Sequence, residues 1–333
     1  MVYHLHFHKC GGGNFQKLAW ENSETPMSRL LPPKDRARNY DIGLQYMLGW
    51  AAFPPPLCRL PAPDQQPDVL PNRSVGIAPL LERVRGLQAA GVSFLSSENW
   101  SPAPFGPAAL FKQVATLVTV LRAPVQRAIS SYHFHNPGCE RHAAVPRTFA
   151  SRLASAGKSC PSLLKFAADE RNMYARILAG QPYRPYDSAK STQHRAVLPP
   201  RWAELQGVGP TGRRLRPVLK EVHQRATQCA KQYVEAPPDE ALTLRSALAG
   251  LEAFDLVLTL ERWGHESLCM LAKQLGWSNE HAMKPSAHSQ RPSTLDNATM
   301  APLRRLFELD EEVYQSAARR EARDMLRDGC AAS

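Results

Sequence analysis

The chain has 333 residues, a length that suits two domains or one large α/β domain with insertions, and its 43% apolar and 21% charged residues are ordinary globular usage. That composition excludes a chain disordered throughout. Forty-one Lys+Arg against 30 Asp+Glu leave a net charge of +11, which favours polyanionic partners: nucleic acid, anionic glycans, phosphorylated cofactors or anionic lipid.

No apolar run approaches the roughly 18 residues that a membrane span needs, and the start lacks the charged and apolar regions of a signal peptide. Seven cysteines (10, 58, 139, 160, 229, 269 and 330) contain no CxxC pair, which excludes a zinc ribbon and a thioredoxin motif and leaves one or two disulfides open. The triplets beginning at Asn72, Asn99 and Asn297 are glycosylation sequons that matter only in a secretory compartment.

In chain order, Val2 to Phe7 alternates, with Tyr3, Leu5 and Phe7 on one face and His4, His6 and His8 on the other, as a strand does. A core strand so early carries the expectation that an upstream segment is missing. Lys9-Cys10-Gly11-Gly12-Gly13-Asn14 then reads as a tight loop opening a helix over FQKLAW. Residues 21–75 are rich in Pro and read as an insertion or lid. A helix closing on Gly91 precedes the short strand VSFL, which ends at Ser96-Ser97-Glu98.

Ala115 to Leu121 (ATLVTVL) is the clearest central strand, a β-branched apolar run of the kind parallel sheets use. Pro124 then suits the first position of a helix through VQRAISSYHF. Helices are expected at about 148–156, 162–179 and 239–251, separated by a second insertion, Pro/Arg-rich, at 181–238. The strand FDLVLTL, the amphipathic helix HESLCMLAKQLGW and a charged helix over about 309–327 close the chain. Strands separated by helices predict a single α/β domain: a parallel sheet of four or five strands flanked by helices, with two Pro-rich insertions.

The glycine loop has the chemistry of a phosphate cradle, with backbone N–H groups, a helix N-terminus and one cation. It is not a Walker A loop, because Lys9 precedes the glycines and no magnesium-binding hydroxyl follows. Arg122 at the end of the central strand and Ser130, eight residues on and about two helical turns in, form a second anion-binding pair. Both sites fall at carboxyl ends of strands, where open parallel sheets bind ligands.

HKCGGGNF after the first strand resembles the 5′-phosphosulfate-binding loop of sulfotransferases, and TVLRAPVQRAISSYHF resembles their 3′-phosphate-binding motif. ERNMYARILAG, FDLVLTLERWGHESLCMLAKQLGW and LDEEVYQSAARR resemble later segments of the same family, in family order. Gly13 and Asn14 stand where the family usually has hydroxyl residues, and Ala123 where it usually has Asp.

The resemblance, to the carbohydrate (Golgi-type) branch, implies a P-loop-like sulfotransferase fold. It implies transfer of a sulfuryl group from 3′-phosphoadenosine 5′-phosphosulfate (PAPS) to a hydroxyl of a glycan, an anionic one on charge grounds, without a metal. Lys9 would meet the leaving phosphate, Cys10, Gly11, Gly12, Gly13 and Asn14 would hold the 5′-phosphate, and Arg122 and Ser130 the 3′-phosphate. It also implies the Golgi lumen, with a membrane reached only through an anchor missing from this chain.

Candidates for the general base are Glu98, His6, His8 and His133; Glu98 is favoured for its place after a strand, whereas His8, beside Lys9 and able to face the acceptor, is a strand histidine of the kind that is more often structural or cofactor-packing. Two zinc readings, His4/His6/His8 and His133/His135/Cys139/His142, lack diagnostic spacing. The basic strip at 207–216 reads as a solvated loop, and no nucleic-acid-binding motif is present. The alternatives are a non-catalytic polyanion-binding protein on a degenerate sulfotransferase scaffold and a P-loop kinase.

Overall fold

The computed structural model describes residues 1–22, 85–86, 88–89, 91–98, 112–136, 161–179, 239–278 and 297–331, with backbone only at 97, 98 and 297. Most of both Pro-rich stretches, the helix expected at 148–156, the strip at 207–216, Cys58, Cys139, His142, Cys160, Cys229 and the sequons at Asn72 and Asn99 lie outside them.

Four parallel strands form one sheet: β1 (Val2–His6), β2 (Phe94–Glu98), β3 (Thr116–Leu121) and β4 (Leu256–Thr259), in the order β2-β1-β3-β4. Register pairs His6 with both Glu98 and Val120, and Leu121 with Thr259, so all four strands end at one edge. The predicted α/β class and parallel sheet are thus present. Helices are α1 (Gly12–Glu21), α2 (Pro124–His135), α3 (Leu163–Asp169), α4 (Met173–Leu178), α5 (Glu240–Glu252), α6 (His265–Leu275), α7 (Asn297–Leu306) and α8 (Glu308–Arg327). No helix among the described residues is long and apolar enough to cross a membrane.

Both faces of the sheet are covered. Tyr3, Leu5, Leu117, Leu121 and Val257 pack under α4, α5 and α8, while Val2, Phe94, Val118, Val120, Leu256 and Leu258 pack under α1 and α6. Alternation in β1 therefore does not separate core from solvent. His4 is fully buried beneath α1, stacks near Phe15 and hydrogen-bonds Ser96 Oγ at 3.1 Å.

The single helix expected over 162–179 is two. Glu170 turns into the core and Asn172 takes a left-handed φ of 49°, so the chain restarts at Met173. The carboxylate of Asp310, from α8, accepts the Ala175 amide at 3.0 Å and caps this new start from outside the helix. Helix α7, unforeseen in the sequence, contains Pro302 and carries Leu303 into a cluster with α2 and α3. A disulfide joins Cys269 of α6 to Cys330, just beyond α8.

Candidate functional site

The strand order places β1 between β2 and β3, so the chain leaves β1 toward one side and returns on the other. The crevice between the carboxyl ends of β1 and β3 is the topological switch point, where parallel sheets of this kind bind ligands. The Lys9–Asn14 loop follows β1 and Arg122 follows β3, so both predicted anion sites flank this crevice.

After β1 the chain makes a turn closed by Cys10 N–H donating to Phe7 C=O at 3.1 Å. Lys9 sits in it at φ 67°, a left-handed conformation that costs an L-residue roughly 1–2 kcal/mol. Its ammonium lies 4.0 Å from the centroid of the exposed Phe134 ring, at the end of α2. Gly11 caps α1 at φ 80°, and a Cβ there would press on the Leu260 side chain. A Cβ on Gly12 would overlap the His6 ring, whereas Gly13 faces open space. The glycines thus have separate reasons: conformation at 11, close approach at 12, exposure at 13.

Helices α1 and α2 carry no acidic residue in their first turns, and neither Gly11 nor Ala123 supplies a capping side chain. By contrast, Asp239 caps α5, and α8 opens with Glu308, Asp310 and Glu311. First-turn amides have few partners inside a helix, so α1 keeps a positive end suited to an anion, although its Asn14 amide donates to Gly11 C=O at 2.9 Å; at α2 a carboxylate from elsewhere already meets the cap. Ala123 receives its support from elsewhere: its amide donates to Glu261 Oε1 at 2.9 Å, and Glu261 Oε2 accepts from Tyr314 at 2.9 Å.

Beneath the crevice lies a polar structure that the motifs did not reveal. Tyr174 of α4, fully buried, donates its hydroxyl to Arg122 C=O at 2.8 Å, accepts from Arg122 N–H at 3.2 Å and lies 3.0 Å from Cys10 Sγ. One oxygen therefore links the end of β3 to the glycine loop. Burial pushes the Tyr174 hydroxyl well above its usual range and the Cys10 thiol up to about 12, so both remain protonated donors.

Arg127 of α2 is wholly buried, with its guanidinium 5.6 Å from the ring centroids of Tyr174 and Phe307 and Nη1 2.8 Å from Glu170 Oε2. Glu170 Oε1 accepts from Ser131 Oγ at 2.9 Å, and Ser131 Oγ lies 3.4 Å from His8 Nδ1. The His8 ring also meets Phe134 and His135, with centroids at 5.4 and 5.0 Å.

Of the predicted residues, Lys9, Cys10, Gly11, Gly12, Gly13, Asn14, His8, Arg122 and Ser130 are placed on the two units flanking the switch point. Arg122 and Cys10 are buried, and Ser130 is half-buried on α2. Glu98 ends β2 in register with His6, at the same sheet edge, and its side chain lies outside the described residues. His133 and His135 occupy the exposed last turn of α2. Among the described residues no three His, Cys, Asp or Glu side chains are grouped to hold a metal ion. A groove of about 570 Å³, lined by Met1, Arg85, Gln88, Lys112, Thr116 and Asp255, opens at the opposite edge, where the strands begin.

No family model, curated protein or solved structure matches the chain.

Proposed function

We propose that the protein is a carbohydrate sulfotransferase that takes a sulfuryl group from PAPS and gives it to a glycan hydroxyl. The observation that carries this reading is the pairing, across the β1/β3 crevice, of the Lys9–glycine loop with the Arg122–α2 unit, each leading into a helix with no acidic residue in its own first turn. Two anion-binding units side by side suit a donor phosphorylated at both its 3′ and 5′ positions. The open space over Gly13 leaves the backbone of α1 accessible to a phosphate.

Lys9, whose ammonium rests 4.0 Å from the Phe134 ring, meets the charge that develops on the leaving 5′-phosphate. The Gly11 to Asn14 loop holds the 5′-phosphate, through the amides other than that of Asn14, which donates to Gly11 C=O at 2.9 Å, and Arg122 with Ser130 holds the 3′-phosphate. Donor and acceptor held in one crevice react as an in-line displacement, in which positioning supplies much of the rate. Net charge of +11 favours an anionic glycan. The Cys269–Cys330 disulfide supports an oxidising compartment, in keeping with the Golgi lumen that the family resemblance implies.

Calorimetry tests this with adenosine 3′,5′-bisphosphate, adenosine 5′-monophosphate and ATP with magnesium. The bisphosphate should bind most tightly, and Arg122→Ala should remove its advantage over the monophosphate, on the order of 1.5–3 kcal/mol for a charge-assisted contact. Preference for magnesium-ATP supports the kinase instead. Bisphosphate binding without sulfate transfer to any glycan identifies a polyanion-binding protein on the same scaffold.

A further inference from the structure

The chain of contacts from Arg127 to His8 fixes where protons sit. Arg127 and Glu170 are 0% and 1% exposed and lie 2.8 Å apart, and a carboxylate paired with a guanidinium, which only donates, serves as the acceptor in its hydrogen bonds. Ser131 Oγ, also fully buried, has a single hydrogen, and the 2.9 Å contact to Glu170 Oε1 uses it. Toward His8 the same oxygen can then only accept. Nδ1 of His8, 3.4 Å away, must be the protonated ring nitrogen, and in a neutral imidazole the lone pair then falls on Nε2.

His8 is neutral for reasons visible around it. Burial, the ring of His135 and the charge of Lys9 act first, and His6 and Arg127 add to them, pulling its pKa down to about 2. The groups facing it are Lys9 in its own turn, His6 of β1, Arg127, Ser131 and His135 of α2, and, through Ser131, Glu170 after α3. The Glu170 charge is taken up by Arg127, so these neighbours leave the resting ring neutral, and the anionic donor bound beside Lys9 would supply the charge that favours the imidazolium as the proton arrives. A base must lie within reach of the reacting hydroxyl, and His8 directly precedes the residue assigned to the leaving group.

We propose that Ser131, Glu170 and Arg127 are positioning residues that hold His8 in its Nδ1–H tautomer, so that His8 Nε2 takes the acceptor hydroxyl's proton. This rests on the sulfotransferase reading and selects His8 over Glu98 as the base. The acceptor oxygen bonds to sulfur as its proton passes to Nε2. The bond from sulfur to the 5′-phosphate oxygen breaks, and its electron pair stays with the phosphate beside Lys9. The 3.4 Å contact is long, as catalytic hydrogen bonds often are before substrate binds.

The test is long-range proton–nitrogen NMR of histidine-labelled full-length protein without donor, with His8 assigned by its loss in His8→Asn. Wild type should show protonated Nδ1 and bare Nε2 throughout about pH 5–8, the range in which an ordinary His titrates. Ser131→Ala should release the tautomer and lower kcat about 10²-fold, the lower end of the loss for a general base, with KM for PAPS little changed. Ser131→Thr, which keeps a hydroxyl, should restore both.

A wild-type His8 protonated on Nε2 overturns the proposal even if the alanine variant fails to fold. So does Ser131→Ala with the tautomer and turnover intact. Wild-type protein that neither binds the bisphosphate nor transfers sulfate overturns the sulfotransferase reading, and the base role with it; the tautomer is still read, since no donor is present.

Discussion

Replacing Tyr174 with Phe removes one oxygen and leaves the buried ring in place. That oxygen donates once, to Arg122 C=O, and accepts from Arg122 N–H and from the protonated Cys10 thiol. Its whole hydrogen-bonding capacity is in use. Deletion removes the bonds to a buried backbone N–H and C=O, and an unsatisfied buried group costs about 1–3 kcal/mol, so the pair should cost up to roughly 2–6 kcal/mol. The thiol is a weak donor and adds little. Tyr132→Phe is the internal control: its hydroxyl makes a single part-buried bond, 3.0 Å to Pro161 C=O, for about 0.5–1.5 kcal/mol. Urea unfolding of both variants, with m-values compared to confirm that only the midpoint moves, reads the difference. Tyr174→Phe should be roughly four times as destabilising, by the ratio of those ranges, and should also weaken bisphosphate binding, since the lost oxygen joins both anion-binding units. Equal destabilisation by the two variants would refute the view that this hydroxyl braces the crevice.

Lys9→Gly and Lys9→Ala both lose the ammonium and its contact with Phe134, but only glycine relieves the left-handed turn. The strain, about 1–2 kcal/mol, exceeds the roughly 0.4–1 kcal/mol that glycine gains in unfolded-state freedom, so thermal melting should place Lys9→Gly at or above Lys9→Ala while both lose sulfate transfer. The reverse order would show the turn to be unstrained. Burial raises the Asp310 and Glu321 carboxyls to about 7, above their ordinary unfolded values near 4, so the native state binds these protons more tightly. The two groups therefore stabilise the fold most below about pH 4 and lose that contribution as pH rises to about 7; Asp310→Asn should remove roughly half of this fall in urea midpoint between pH 5 and 8, and an unchanged slope would assign it elsewhere. The Cys269–Cys330 bridge spans a sequence separation of 61. Chain entropy puts its loss at about 4 kcal/mol, so Cys269→Ser should lower the unfolding midpoint and reduce its sensitivity to reductant, and a midpoint equal to that of wild type would mean the bridge adds nothing.

What could be read in the sequence was whatever a local pattern decides. β3 is a β-branched run of six residues buried on both sides, and Pro124 at the first position of α2 marks the helix start without any knowledge of its neighbours. That the loops after β1 and β3, which carry Lys9 and Arg122, lie at one sheet edge was legible for a related reason. In a parallel sheet all strands end at one edge, so two loops that each follow a strand must share it. The break between α3 and α4 was not legible, because it depends on Glu170 finding Arg127, 43 residues away, and on Asp310 capping α4 from 135 residues away. Helix α7 was missed because Pro302 argues against a helix locally, and its support comes from the packing of Leu303 and Phe307 against α2 and α3.

The same distinction explains why the floor of the site escaped the motif reading. The sequence singles out Ser130, eight residues after Arg122, yet its neighbour Ser131 is the one turned inward. On a helix, neighbours in sequence face about 100° apart, and only the packing partner says which of two adjacent hydroxyls is internal. The Arg127–Glu170 pair is a costly thing to bury, since desolvating two ions offsets much of their attraction and an apolar pair of similar volume often serves stability as well or better. Its retention is better explained by what an apolar pair could not do. A carboxylate fixed by a guanidinium takes the hydrogen of Ser131, a methyl group would not, and that choice propagates to a ring nitrogen one residue before Lys9.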